Sequence, residues 1–440
     1  MRLVNPWQLI GLFPILTGWA WLDWGVAHGS WWLWPMLLPA VVLIGTGVAL
    51  MFWPGDNRIT RLMALASVLS LLAFIPSCLL LEGWSKPLAL GAAAIICFLI
   101  AGHAAARMSS PPHGVPLPKF GLAMAYKVAL DELLLSFFIL NAKIPSRAES
   151  IQIARDLTDL IQLSRDKGWQ ESPRSYFQAP QPLKNLGISS VNKRALNGER
   201  CAFERLHWTS SYEPHAEEPG RDRWLNFTAN RTAYARVLQH AEAPNAPDRP
   251  WLIAIHGYGM GWDGIDLSLM SPAFLHKRLG LNVAMPILPL HGPRRSSVIS
   301  GRDYVDGHFS NFIFAEAQAQ HDIRCLMQHL RDQYGAKKFA VLGYSLGGYN
   351  ASLLSTLESD LACVIAGIPA TDFASLLQQH SPAIPLREMN SLGVSEDKMR
   401  AAYELVSPLN LQPQVPLGKR FMFAANADQL VPPAEVLKLW

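Results

Sequence analysis

Two patterns of hydrophobic and polar positions divide the chain near residue 107. Before it, apolar residues run almost without a break, and only seven side chains carry charge, at positions 2, 23, 56, 58, 61, 82 and 86. Beyond it, charged residues are frequent, and short apolar runs alternate with amphipathic stretches. The first pattern predicts helices in a membrane, and the second predicts a folded domain with a buried sheet.

Four stretches without charge lie in the first part, at residues 3–22, 31–53, 62–81 and 87–106. Each has 20 to 23 residues, and a helix that crosses the hydrocarbon core of a bilayer needs about 20. Trp24, Trp53 and Trp84 lie near the ends of these stretches, where interfacial anchors are expected. The sequence therefore predicts an all-α transmembrane region of about four helices over residues 1–107.

The flanking charges predict an orientation. If all four stretches cross, Arg58 and Arg61 share one side of the membrane with Arg107, and the positive-inside rule places that side in the cytoplasm. We therefore expect an integral protein of the inner or plasma membrane whose larger part is cytoplasmic. Its five cysteines form an odd set without a Cys-x-x-Cys pair, which suits a reducing compartment and argues against disulfides or a zinc site.

Residues 108–199 are expected to form a linker and helical segments. The apolar run 122–140 predicts one helix. Ser146 and Glu149 have the spacing of a capping box and predict the start of another helix, which Gly168 is expected to end.

Short apolar runs beyond residue 200 have the length of buried strands. The first two have the character of antiparallel strands, whereas the later ones alternate with helical stretches and predict a parallel arrangement. We therefore predict an α/β domain over residues 200–440, with a mostly parallel sheet flanked by helices and a helical insert near 374–416. The strand-like runs lie at residues 200–209, 234–239, 251–255, 282–290, 339–342, 361–366 and 421–425.

Candidate chemistry clusters where these runs end. The pentapeptide Gly343–Gly347, with the sequence Gly-Tyr-Ser-Leu-Gly, follows one run and precedes a helix-forming stretch. Its glycines allow a sharp strand-to-helix turn that projects the Ser345 hydroxyl above the sheet edge. His256–Gly259 ends another run, and Asp372 and Asp428 follow two more. In parallel sheets the carboxyl ends of the strands carry the chemistry, so we expect these residues to lie at one edge.

Through these motifs the chain resembles the α/β-hydrolase superfamily over roughly residues 234–440. The resemblance implies that Ser345 is the nucleophile. It also implies that the backbone N–H groups of Tyr258 and Leu346 form an oxyanion hole, which stabilises the negative charge of a tetrahedral intermediate.

The acid and the base match the superfamily pattern less completely than the nucleophile does. The resemblance implies Asp428 as the acid, with Asp372 as the alternative. The order in the superfamily is serine, acid, histidine, yet no histidine follows Asp428 in this chain. Three explanations stay open: truncation before the histidine, recruitment of another histidine, or a non-catalytic relative. His291 is the stronger recruit and His380 the weaker, whereas His256 matches a histidine that is not the base of the superfamily.

The loop after the run 282–290 carries the paired arginines Arg294 and Arg295, which suit a carboxylate or a phosphate. With His256 they are the predicted substrate-binding residues. The sequence contains no P-loop, no His-Glu-x-x-His and no His-x-x-x-x-Asp motif, so we expect neither a cofactor nor a metal. The net charge of +4 comes from scattered basic residues, and nucleic acid is not an expected partner.

The expected function is that of a membrane-anchored serine hydrolase, esterase-like or lipase-like, which cleaves an ester, thioester or amide through an acyl intermediate on Ser345. Proximity to the bilayer favours a lipid-derived ester among the small-molecule substrates. The alternative is a catalytically inactive α/β-hydrolase module that acts as a membrane-tethered interaction protein.

Overall fold

The computed structural model of the chain describes residues 5–28, 34–80, 84–109, 112–114, 119–241, 249–305 and 308–439. The chain divides into two compact units. We call Met1–Asn141 with Ala425–Ala434 the helical unit, and Ala142–Ala424 with Glu435–Trp440 the sheet unit.

The helical unit contains the predicted membrane helices and the predicted helix after them. Its helices are α1 (Leu12–His28), α2 (Trp34–Phe52), α3 (Asn57–Leu80), α4 (Ser85–Met108) and α5 (Leu122–Asn141). Among the described residues, three helices are long and apolar enough to cross a membrane, at Pro6–Ala27, Asn57–Ile75 and Ser85–Met108. The second predicted span appears as the shorter apolar helix Leu37–Phe52. The predicted span ends at residues 3–4, 31–33 and 81 lie outside the described residues.

The outer surface of these helices is apolar. Leu16, Trp19 and Leu72 are each at least 60 % exposed, although a water-soluble helix would place polar side chains at such positions. Apolar side chains that face outward are expected where lipid rather than water surrounds a helix. The exposed faces therefore agree with the composition in favouring a membrane.

Small residues let α1 and α2 approach closely. A Cβ atom built on Gly47 would lie 2.5 Å from the carbonyl oxygen of Gly11, and one on Gly11 would lie 2.5 Å from that of Gly47. Close backbone approach of this kind is typical of helices that pack in membranes, where burial of apolar surface does not drive association.

The sheet unit is built on eight strands. In chain order they are β1 (Lys184–Arg194), β2 (Arg200–Thr209), β3 (Thr232–Leu238), β4 (Trp251–Ile255), β5 (Asn282–Pro286), β6 (Phe339–Tyr344), β7 (Leu361–Gly367) and β8 (Arg420–Phe423). Their order across the sheet is β1-β2-β3-β5-β4-β6-β7-β8. The pairs β1–β2, β2–β3 and β3–β5 are antiparallel, and the remaining pairs are parallel. The predicted α/β class and mostly parallel sheet are confirmed.

Strand β1 lies within residues 108–199, where only a linker and helices were predicted. It is an edge strand, paired with β2 alone, and most of its residues are exposed or half-buried. An edge strand of this kind lacks the apolar run that marks a buried strand. The sequence signal that located the other strands was therefore missing from this one.

Helices cover the sheet, and some of them lie within residues 374–416, where a helical insert was predicted. The predicted capping box is present, because the Glu149 carboxylate accepts from the Ser146 N–H at 2.7 Å and the Ser146 hydroxyl accepts from the Glu149 N–H at 3.3 Å. The long helix Phe309–Tyr334 is buried over most of its length. The helices are α6 (Arg147–Asp166), α7 (Arg221–Leu225), α8 (Asp263–Leu269), α9 (Phe309–Tyr334), α10 (Leu346–Leu357), α11 (Phe373–His380), α12 (Ala383–Ser391), α13 (Glu396–Tyr403) and α14 (Pro433–Leu437).

The close approach of α1 and α2 generates a stability prediction. The Gly47→Ala substitution should destabilise the helical unit by about 1–3 kcal/mol, because the added methyl group forces the two backbones apart. Gly45→Ala is the matched control in the same helix, since a Cβ atom there meets nothing within 4 Å. Thermal unfolding of both variants in detergent micelles tests this, and equal unfolding temperatures would contradict it.

Candidate active site

Ser345 lies at the turn between β6 and α10 with φ 56° and ψ −115°. A non-glycine residue rarely adopts positive φ, so the turn stores conformational strain. The glycines on either side make the turn possible. A Cβ atom on Gly343 would lie 1.9 Å from the carbonyl oxygen of Gly347, and one on Gly347 would lie 2.1 Å from that of Ile255. The helix can leave the strand here only because neither residue has a side chain.

Hydrogen bonds hold this strained residue in place. The N–H of Ser345 donates to the carbonyl oxygen of Gly367 at 2.9 Å. The carbonyl oxygen of Ser345 accepts from the N–H groups of Tyr349 at 3.0 Å and Ala370 at 3.3 Å. The surrounding backbone thus determines the conformation of Ser345, as is typical of strained residues at functional sites.

The turn after β4 lies beside the serine. Ile255, the last residue of β4, is in register with Gly343. A Cβ atom on Gly257 would lie 3.6 Å from the Cβ atom of Ser345 and 3.2 Å from the carbonyl oxygen of Tyr344. The glycine turn and the serine therefore meet at one edge of the sheet. The oxyanion roles of the Tyr258 and Leu346 N–H groups remain predictions.

A buried arginine anchors this turn and was not identified from the sequence. Arg236 of β3 donates to Asp263 at 2.8 Å, to Asp266 at 2.7 Å and to the carbonyl oxygen of Gly261 at 3.0 Å. Asp266 also accepts from the N–H of Gly261 at 3.0 Å. Because Arg236 and its partners are 25 to 30 residues apart, no local pattern could have predicted the cluster.

His256, predicted to bind substrate, and His291, the candidate base, both lie near this turn. His256 is buried; its Nε2 atom accepts from the N–H of Leu288 at 3.0 Å, so its Nδ1–H donates to the carbonyl oxygen of Gly257 at 2.8 Å. His291 is fully buried against Gly301, and its Nδ1 atom lies 2.8 Å from the carbonyl oxygen of Pro289. Burial, together with the neighbouring His256, lowers the pKa of His291 well below its ordinary value. Both rings are buried, which disfavours either as a solvent-accessible base, and the substrate-binding role of His256 stays a prediction.

The paired arginines have different environments. Arg294 is buried and donates to the carbonyl oxygens of Ile287 at 2.9 Å and Asn230 at 3.1 Å, and to the Asp322 carboxylate at 2.8 Å. This burial corrects the expectation that both arginines face a substrate. The composition of the loop gave no sign that one of them would turn inward. Arg295 is half-buried, and its guanidinium lies 4.7 Å from the ring centre of Trp262.

Asp372, the alternative acid, caps a helix. Its Oδ1 atom accepts from the N–H of Ser375 at 3.1 Å, at the start of α11. Its Oδ2 atom lies 3.2 Å from Arg400 and 3.0 Å from Lys438. Burial alone would raise the pKa of Asp372, but the Ser375 N–H and the two cations hold it below its ordinary value. The carboxylate is therefore already paired within the sheet unit.

Asp428 is carried by the segment Ala425–Ala434, which we call the acid loop and which belongs to the helical unit. The backbone N–H groups of Leu430 and Val431 both donate to the Asp428 Oδ1 atom at 2.9 Å. This turn orients the carboxylate. Burial nevertheless raises the pKa of Asp428 above its ordinary value.

The acid loop is attached to α4 and α5 within the helical unit. The side-chain amide of Gln429 donates to the Ser109 hydroxyl at 2.9 Å, and its backbone N–H donates to the Asp131 carboxylate at 3.4 Å. Burial, together with the nearby charge of Asp428, raises the pKa of Asp131 to about 7. A partner some 300 residues away in the sequence was not predictable from local patterns.

The described residues offer no candidate for a cysteine nucleophile or a metal site. All five cysteines are free. Burial raises the pKa of the Cys325 thiol to about 11, so it is not a ready nucleophile. In the part of the chain that the structure describes, no group of three or more His, Cys, Asp or Glu side chains is placed to hold a metal ion.

Solved structures with a similar arrangement include two esterases. An acetyl xylan esterase from Paenibacillus sp. R4 has 12 % identity and a TM-score of 0.40 over 61 % of this chain and 87 % of that chain. Acetyl xylan esterase 1 from a Thermoanaerobacterium species has 14 % identity and a TM-score of 0.42 over 62 % and 81 %. Similarity at this level carries no information on substrate.

No protein-family model matches the chain. An uncharacterized Mycobacterium tuberculosis protein of strain H37Rv, Rv2627c, is 34 % identical over 339 residues, which cover 76 % of this chain and 78 % of that protein. Its counterpart in strain CDC 1551, MT2702, matches to the same extent. The mixed sheet of the sheet unit, with its serine turn between β6 and α10, has the α/β-hydrolase architecture. The chain belongs to the family of the uncharacterized mycobacterial protein Rv2627c, and its sheet unit has the α/β-hydrolase fold.

Proposed function

We propose that this protein is a membrane-anchored serine hydrolase that transfers an acyl group from an ester, thioester or amide to Ser345 and then to water. The observation that carries the proposal is the strained turn at Ser345, with φ 56° and the Gly257 turn beside it. A serine hydroxyl held in this way can attack a carbonyl once a base takes its proton, which then passes to the departing alcohol, thiol or amine, while adjacent backbone N–H groups stabilise the developing negative charge.

The membrane is proposed as the site of action. Three helices have the length and composition of membrane spans, and the charges that flank them favour a cytoplasmic sheet unit. An enzyme held at a bilayer meets lipid-derived esters at high local concentration. We therefore propose a lipid-derived ester as the preferred substrate class.

The proposed acid is Asp428 rather than Asp372. Asp372 is already paired with Arg400 and Lys438 and caps α11, which supports a structural role. Asp428 is oriented by two backbone N–H groups. An acid in this position would hold a catalytic imidazole in its productive tautomer. The burial of His291 argues against its recruitment as that imidazole.

The first test is covalent labelling of the protein, with its native carboxyl terminus, in detergent micelles with a fluorophosphonate, which reacts with activated serines. We expect stoichiometric labelling that Ser345→Ala abolishes. Ser391→Ala is the matched control, because Ser391 is exposed at the end of α12, where its hydroxyl donates to the carbonyl oxygen of Glu388. Labelling that persists in Ser345→Ala would assign the reaction to another residue.

The inactive interaction module is the competing outcome of this test. If the folded wild-type protein, with its native carboxyl terminus, takes up no fluorophosphonate, the hydrolase proposal is wrong. The module would then be favoured, because the fold would be present without an activated nucleophile.

A second test separates the two acids. If Asp428 orients a catalytic imidazole, Asp428→Asn should lower the labelling rate by about 10⁴, the cost of misorienting that imidazole. Asp372→Asn should leave the rate within about threefold and lower the stability at pH 7 by about 1 kcal/mol, because its ion-pair partners are partly exposed. The stability that the Asp372 carboxylate contributes is fully present above the ordinary pKa of aspartate. It is lost as the pH falls through the pKa of Asp372 in the folded protein, which pairing lowers. The reverse pattern of rates would make Asp372 the acid.

A third test concerns substrate charge. Of the two neighbouring arginines, Arg295 is the one that remains partly exposed. If it binds a carboxylate or phosphate, Arg295→Ala should raise KM for anionic esters about tenfold, the value of one charge-assisted hydrogen bond. The kcat value and the KM for neutral esters should not change. Equal effects on anionic and neutral esters would exclude a charge-binding role.

A further inference from the structure

A buried carboxyl group lies next to the serine turn and has no part in the mechanism proposed above. Glu316, on the central helix α9, is fully buried. Its Oε1 atom accepts from the Tyr304 hydroxyl at 2.9 Å and from the Asn350 side-chain amide at 3.4 Å. Its Oε2 atom has no hydrogen-bond partner, and no cation pairs with it, among the described residues. A charged carboxylate would be very costly in such a place.

Burial without a cationic partner disfavours the charged form of Glu316. Burial raises its pKa well above the ordinary value. A neutral carboxyl can serve as a hydrogen-bonding link between packed elements without a partner of opposite charge. Its importance then lies in the elements that it connects.

One connection leads to the helix that follows the serine. The amide group of Asn350 donates to the carbonyl oxygen of Leu346 at 3.0 Å as well as to Glu316. The Oδ1 atom of Asn350 accepts from Gln320 at 2.9 Å. The first turn of α10, which presents the Leu346 N–H, is thereby fixed from the α9 side.

The other connection leads to the glycine turn after β4. The ring of Tyr304 packs edge-on against His291, with 5.2 Å between ring centres. His291 in turn packs against His256 at 5.2 Å and Tyr258 at 5.8 Å. Thus both partners of the Glu316 Oε1 atom lead to a proposed oxyanion donor, Asn350 to Leu346 and Tyr304 to Tyr258.

We propose that Glu316 is a positioning residue that couples the two sides of the oxyanion hole through Asn350 and Tyr304. The proposal rests on the proposed hydrolase function. Its physical basis is the strain at Ser345, because ψ of Ser345 sets the direction of the Leu346 N–H, and a strained turn relaxes unless its neighbours prevent it. Oxyanion donors act only when they point at the developing charge, so loosening this support lowers turnover rather than substrate binding.

The test compares Glu316→Ala with Glu316→Gln in the full chain, using p-nitrophenyl acetate as the substrate. Complete loss of an oxyanion donor costs about 10²–10³ in kcat, so partial misalignment in Glu316→Ala should lower kcat about 10–100-fold, with KM within about twofold. Glu316→Gln should restore kcat to within about threefold of wild type, because the amide keeps the shape and the neutral charge. Gln318→Ala is the matched control, since Gln318 is buried on the same helix and bonds Trp224 and Asn230 instead.

A second variant keeps the test decisive if Glu316→Ala does not fold. Asn350→Ala removes the link to Leu346 and leaves Glu316 in place, and it should lower kcat to a similar degree. If both variants fold, the double variant should be no slower than the worse single variant, because both act through one network.

The outcomes separate this inference from the proposed function. Wild-type protein with its native carboxyl terminus that shows neither turnover nor fluorophosphonate labelling would contradict the hydrolase proposal itself. An active wild type whose folded Glu316→Ala and Asn350→Ala variants keep more than half of its kcat would overturn only the positioning role. A Gln318→Ala variant that loses kcat equally would also overturn it, because the effect would then reflect general loss of packing in α9.

Discussion

The sheet unit depends on the close contact between the backbones of β4, β6 and the first turn of α10. Gly347 lies so near the carbonyl oxygen of Ile255 that no side chain fits between them. This contact brings the helix over the sheet and leaves Ser345 with positive φ. The strain is local, but the hydrogen bonds that maintain it come from β7 and the segment that follows. A serine in this conformation is consequently a property of the whole parallel sheet.

Buried polar groups surround this contact, and each has a physical reason to be there. Arg236 pairs with two aspartates while it donates to the loop after β4, Arg205 also pairs with one of them, and Arg294 pairs with Asp322 of α9. Such groups add little net stability compared with apolar packing, but removal of one partner leaves a costly unpaired charge. They therefore favour one arrangement of the loops over others that apolar packing alone would permit. Glu316 differs because it has no cationic partner among the described residues, and burial raises its pKa well above the ordinary value.

The helical unit follows different rules. Its helices pack through small residues such as Gly11 and Gly47, and their outward faces are apolar. One group of polar contacts in this unit binds the acid loop to Ser109 and Asp131. The unit is thus more than a set of apolar helices, because it also holds the segment that carries Asp428.

Most of the architecture could be predicted from the sequence, because the signals are local. Strand-like runs marked the strands from β2 onward, the spacing of Ser146 and Glu149 marked a helix start, and the pentapeptide around Ser345 marked the turn. The exposed edge strand β1 gave no such signal. The roles of Asp428, Tyr258 and Leu346 stay predictions.

Only the tertiary structure decided which polar residues are structural. The sequence by itself determined two parts of different character, their elements and the position of the serine turn, because periodicity and composition report on neighbours within a few residues. It did not determine that Arg294 turns inward, that Asp372 pairs with Arg400, or that Glu316 joins Tyr304 to Asn350. These pairings join residues 12 to 34 positions apart. Their free energy depends on burial and geometry that arise only when the chain has folded.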